Sequence, residues 1–255
     1  AASDVYKRQQ SYRELVHTIL LNGYEITDYH LYKGVKNPCI LRHDIDMDLC
    51  KAAEFAEIER EILGEDKRLN ATYFVLISSD FYNPFSKEGI ACLKRITGSD
   101  HEIGLHFDEK KYMGDEDVFN PEMCRIQVKK EISLLSEIIN SQVRVVSMHR
   151  PSKQFLESRM DFGDVVNSYS APFFDQFKYL SDSRMCWREN IEEVVKSKQE
   201  QALHVLTHPF WYSFTERTLR QCLYDFISRG NGVRYNIMKE NFRDLEAVLN
   251  LEEIK

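Results

Sequence analysis

The chain has 255 residues, 43% of them hydrophobic, and its 34 Lys+Arg against 41 Asp+Glu leave a net charge of −7. That is ample material for one large α/β domain with its own core. The acidic balance argues against a nucleic-acid partner gripped mainly through its phosphates. No apolar stretch approaches the roughly 20 residues that a membrane helix needs.

Residues 1–9 are out of keeping with the rest of the chain and read as a non-native leader, with a single domain over 10–255. Cysteines at 39, 50, 92, 124, 186 and 222 form no CxxC pair and several sit in apolar runs, as free thiols of a reducing compartment do. With no basic-then-apolar segment at the start, the expected location is the cytoplasm. Ser11 to Asn22 carries Leu15, Val16, Ile19 and Leu20 at helical spacing, with Gly23 as a stop. Pro38-Cys39-Ile40-Leu41 is a short buried strand that runs into Arg42-His43-Asp44-Ile45-Asp46. Alternate side chains of an extended chain share a face, so Asp44 and Asp46 project together and His43 points away.

Asp48 to Leu63 is helical by its apolar spacing, and Ala71 to Ile77 is β-rich and apolar. Asn83-Pro84 opens a helix that closes at Gly98, and His101 to His106 is a third short strand. Pro121 to Asn140 is a long amphipathic helix with proline at its first position, followed by a strand over Val143 to Met148. Val165 to Ser168 and Phe177 to Leu180 are weaker strand candidates, and Ala202 to Thr207 is the last strand. Thr215 to Arg229 and Lys239 to Asn250 read as two closing helices. Strand and helix alternate through about seven strands, which predicts a parallel sheet. There is no G-x-G-x-x-G and no P-loop.

Chemistry recurs at the C-terminal ends of these strands. The clusters are Arg42-His43-Asp44-Ile45-Asp46, His101-Glu102-Ile103-Gly104-Leu105-His106-Phe107-Asp108, Met148-His149-Arg150-Pro151-Ser152 and Leu206-Thr207-His208-Pro209-Phe210-Trp211. That recurrence fits a distorted (β/α) barrel with its site on the C-terminal face.

On these motifs the chain resembles the polysaccharide deacetylase (NodB-homology) family, in particular a bacterial branch with an Arg-His-Asp-Ile/Val-Asp first motif. The resemblance runs from about Asn37 to Tyr212. It implies a distorted barrel of about seven parallel strands and metal-dependent hydrolysis of N-acetyl or O-acetyl groups on a sugar or glycan, in surface-polysaccharide biosynthesis. Residue by residue, it makes Asp44 the catalytic base, Asp46 a metal ligand, His106 the first histidine ligand and His208 the general acid. Trp187 would stand for a tryptophan packed beside that histidine. The implied cofactor is one divalent ion, zinc first, with cobalt, nickel or manganese as alternatives.

The chain departs from the family at three places. Position 110, where the second histidine ligand is expected, is Lys; aligned on Pro151, His149 stands where the family has its arginine and Arg150 comes one place later; and Cys186 precedes Trp187 where many members have Asp. His149 is the candidate replacement ligand, with Asp108 or a second water as the alternative. Arg42 or Arg150 would hold Asp44 ionised, and Phe210, Trp211 and Tyr212 would offer flat faces to a sugar. An inactive barrel that binds glycan or a partner enzyme is the competing reading, and it rests on Lys110.

Overall fold

The computed structural model describes residues 9–64, 69–113 and 119–254. The leader reading therefore lies outside the described residues except at Gln9, which begins helix α1 (Gln9–Leu21). Beyond α1 lie β1 (Glu25–Thr27), β2 (Pro38–Ile45), α2 (Leu49–Leu63), β3 (Thr72–Val75), α3 (Lys87–Gly98), β4 (Glu102–Phe107) and α4 (Pro121–Ile139). Next come β5 (Val145–Met148), α5 (Lys153–Ser158), β6 (Val166–Asn167), α6 (Ala171–Asp175), β7 (Lys178–Ser181) and α7 (Ile191–Ser197). The described chain closes with β8 (Leu203–Thr207), α8 (Leu219–Lys239) and α9 (Leu245–Val248).

All strand pairings are parallel, in the order β6-β5-β4-β3-β2-β8-β7. The eighth strand, β1, pairs with the first half of β2, Glu25 to Thr27 against Pro38 to Ile40. Farther along, β3 takes over the same edge from Arg42 onward. The sheet is curled into a distorted (β/α) barrel of seven strands, with short β1 added at its base.

Alternation along the strands divides the apolar side chains into two clusters. Ile40, Phe74 and Val145 point into the curl, where Tyr29, Phe173, Phe177 and Ala202 join them. Their chain neighbours Leu41, Tyr73 and Val146 point outward into the larger core under the helices. Every strand in the middle of the sheet is buried on both faces, which is why these segments read as continuous apolar runs.

Capping explains where the helices start. Asp48 accepts from the Lys51 N–H, Ser86 from Gly89, Asn120 from Met123 and Thr218 from Gln221. The helix expected from Asn83 therefore begins only at Lys87, because Ser86 supplies the cap. At the C-terminus the two expected closing helices are instead one 21-residue helix, α8, which continues through Gly230 and Gly232 to Lys239. Among the described residues only the four-residue α9 lies beyond it, apart from a terminal 3-10 turn. All six cysteines are free. Among the described residues no helix is long and apolar enough to cross a membrane.

Candidate metal centre

The C-terminal ends of β2, β4, β5 and β8 meet at one mouth of the barrel. Three donor atoms converge there: Asp46 Oδ1 lies 3.3 Å from His106 Nε2 and 3.3 Å from His149 Nδ1, and the two imidazole nitrogens are 3.2 Å apart. Ligands placed ~2.1 Å from one ion in a tetrahedral array are about 3.4 Å from each other. The three donors thus have the spacing of one face of such a site, and together they could hold a metal ion.

The polar atoms themselves supply a second test. Asp46 Oδ1 is buried and makes no hydrogen bond among the described residues, because the contacts to the two imidazoles are close without being aligned. A buried acceptor left unmatched is costly, and a cation shared with the two histidines would satisfy it. The two imidazoles hold the Asp46 carboxyl well below its usual range although burial pushes the other way. The donor set fits a divalent ion.

Asp44 sits beside this group with its Oδ2 3.6 Å from His106 Nε2. The Arg42 side chain, two residues back on the same face of β2, donates from Nε to Oδ1 and from Nη2 to Oδ2, each at 2.8 Å. The pair is buried, and a fork of two parallel charge-assisted bonds is the geometry in which that can be sustained. Burial alone would raise the Asp44 pKa, but Arg42 and then His106 lower it, so the carboxylate stays ionised. Arg42 is itself held between the Phe74 ring at 5.2 Å and the Tyr169 ring at 5.3 Å. The space for Phe74 comes from Gly104, where an added Cβ would lie 2.6 Å from the ring.

Across the mouth, His208 Nδ1 donates to Asp182 Oδ1 at 2.7 Å, and the same oxygen accepts the His208 backbone N–H at 3.0 Å. That leaves Nε2 facing the site, 3.8 Å from Asp46 Oδ2. Burial opposes the charged imidazole, but Asp182 outweighs it and raises the His208 pKa. Asp182 is fully buried and was not singled out from the sequence. Its position at the end of β7, at Ser181-Asp182, is the same strand-end signal that marked the other residues, on a strand whose apolar pattern is weaker.

Several expected site residues lie elsewhere. Of the two arginines proposed for Asp44, Arg42 makes the contact, while Arg150 is 62% exposed and donates to Asp108 at 3.0 Å. Asp108, the alternative third ligand, is engaged with Arg150 and with the Lys110 N–H, outside the donor triangle. Phe210, Trp211 and Tyr212 are not open faces for a sugar. They turn inward after β8 and are buried in the main core, with Trp211 packed against Phe210 at 4.9 Å between ring centres. Trp187 is half-buried and packs on the same core.

No protein-family model and no curated protein matches the chain. Solved structures do. A family 4 acetyl xylan esterase from Clostridium thermocellum, in complex with a cobalt ion, is 14% identical over 67% of this chain and 73% of its own, with a TM-score of 0.42. The Streptococcus pyogenes deacetylase PplD, in complex with acetate, is 12% identical over 80% and 82%, with a TM-score of 0.42. A CE4 family pseudoenzyme from Bacillus anthracis is 16% identical over 76% and 62%, with a TM-score of 0.43. The likeness is to CE4 deacetylase structures.

Proposed function

We propose that this protein is a metal-dependent carbohydrate deacetylase, acting on an acetylated sugar or glycan intermediate of surface-polysaccharide biosynthesis. The observation that carries this reading is one arrangement: three convergent donors with an ionised carboxylate on one side and a carboxylate-braced imidazole on the other. Asp46, His106 and His149 would hold one divalent ion, with zinc the first candidate from a carboxylate and two imidazoles, and cobalt, nickel or manganese able to replace it. When bound, such an ion supplies Lewis acidity toward water and toward the acetyl carbonyl.

The chain's own residues account for the proton movements. Asp44 is the general base: Arg42 keeps it ionised, and its Oδ2 lies beside the donor triangle, where a water proton has to be taken up. His208 is the general acid, with Nδ1 tied to Asp182 and Nε2 free to protonate the departing amine or alkoxide. Asp182 fixes the tautomer and supports the imidazolium, acting through His208. The inward face of β2 brings base and ligand together, and β8 supplies the acid from the adjoining strand.

Metal analysis of the purified protein tests the first half of this reading, with about one divalent ion per chain expected. A chain that carries none and recruits none on titration has lost its proposed nucleophile source. Acetate release from acetylated nucleotide sugars, with zinc supplied, tests the second half.

A further inference from the structure

A cleft of about 400 Å³ opens next to the His106–His149 side of the mouth, lined by Lys110, Met113, Arg150, Pro151 and Ser152. Its walls are the two loops that leave β4 and β5, the strands that carry those histidines. Met113 and Pro151 are apolar, and the charged groups on the walls are both cations.

The two cations are held in different ways by one carboxylate. Asp108 Oδ1 accepts the Lys110 backbone N–H at 3.1 Å and so shapes the turn that presents Lys110, while its Oδ2 accepts from Arg150 Nη2 at 3.0 Å. The guanidinium is thereby oriented, and its remaining N–H groups have no partner among the described residues. The other cations of these loops are occupied: Lys111 pairs with Glu131 at 3.3 Å and Lys153 with Glu157 at 3.6 Å. The Lys110 ammonium is exposed and has no partner among the described residues. Asp115, Glu116 and Asp117 come next in the sequence, outside those residues.

We propose that this cleft receives an anionic group of the substrate, so that the acetylated sugar carries a phosphate or a carboxylate that Lys110 and Arg150 bind while the acetyl group lies at the donor triangle. The proposal rests on the deacetylase reading for the position of the acetyl group, and on the cleft alone for the charge. Arg suits either anion through two parallel N–H donors, and Lys adds a flexible point charge. Position 110 then has a use of its own: the lysine that stands where a ligand was expected reads the substrate instead of the metal.

Titration calorimetry on the zinc-loaded full chain tests this with three probes: N-acetylglucosamine, its 1-phosphate and its uronate. The charged forms are expected to bind at least about tenfold more tightly than the neutral sugar, as one charge-assisted pair provides. A phosphate preference over the uronate identifies a phosphosugar, and the reverse identifies an acidic sugar. Lys110→Gln, which removes no side-chain contact among the described residues, should reduce the preference, and Lys110→Gln with Arg150→Gln should abolish it. Equal binding of neutral and charged sugars, no binding of any of them, or a preference that survives the double substitution overturns the proposal. Absence of acetate release from all three probes, with the charge preference intact, would instead count against the deacetylase reading.

Discussion

On the two faces of β2 lie two clusters of histidine and carboxylate. The inward one gathers Asp44, Asp46, His106, His149 and His208 at the barrel mouth. The outward one gathers His43, His101, Tyr12 and Tyr73 around the Glu59 carboxylate of α2. Residue types are nearly the same, but the hydrogen bonding differs. In the outward cluster Glu59 accepts from both tyrosines and from His43 Nε2, His43 Nδ1 meets Thr207 Oγ1 at 2.6 Å, and His101 bonds the Ala56 carbonyl and the Ala71 N–H. Among the described residues no side-chain polar atom there is left unpaired, and the cluster is sealed from solvent. In the inward cluster Asp46 Oδ1 and His106 Nδ1 have no hydrogen-bond partner among the described residues. A satisfied polar network braces a fold, whereas an unsatisfied one at a mouth is open to a ligand.

The contrast can be broken most sharply at Asp44. Asp44→Asn should lower acetate release by about a thousandfold or more, within the usual range for loss of a positioned base, with metal content unchanged. Asp46→Ala and His149→Ala should each lose metal, read by elemental analysis after dialysis. Full metal occupancy in His149→Ala would show that the third ligand is another group. His43→Ala and His101→Ala should leave metal content unchanged, since neither imidazole faces the Asp46–His106–His149 triangle.

The outward cluster should respond in stability instead. Glu59→Gln removes the buried charge and sets an amide NH2 against one of the buried donors that now bond the carboxylate, so it should cost about 3 kcal/mol in denaturant melts, with metal stoichiometry intact. Burial raises the Glu59 pKa, but the charges and hydrogen bonds of His43, and then His101 and Tyr12, carry it down from its ordinary 4.5 to about 2. The folded state thus releases this proton more readily than the unfolded chain. Its contribution is complete above pH 4.5 and is lost as the pH falls toward 2. Unfolding midpoints measured across that window should flatten in Glu59→Gln. The smallest effect is expected at Gly104. Gly104→Ala forces the Phe74 ring away from Arg42 and should cost about 1–3 kcal/mol, with a further fall in turnover because Arg42 holds Asp44.

Much of the site could be read locally. The two-residue period of β2 puts Asp44 and Asp46 on one face and His43 on the other, and parallel strands bring their C-terminal ends to one mouth. Glu59 carries a local signal of its own: it occupies the apolar stripe of α2 with Ala52, Ala56 and Leu63, where an acid must be paired. Asp182 was hidden because β7 is short and half-exposed, and its role depends on β8 lying alongside.

By itself the sequence determined the alternation of strands and helices, the parallel sheet and the side chains available at each strand end, since periodicity and side-chain direction are properties of a few consecutive residues. Which of those side chains meet is set by tertiary packing. The spacing of Asp46, His106 and His149 depends on three strands packed at a fixed register. The choice of Arg42 over Arg150 as partner of Asp44, and the burial of Phe210, Trp211 and Tyr212, depend on what surrounds each residue across the chain. Distance through space, which sequence separation does not encode, selects the pairs.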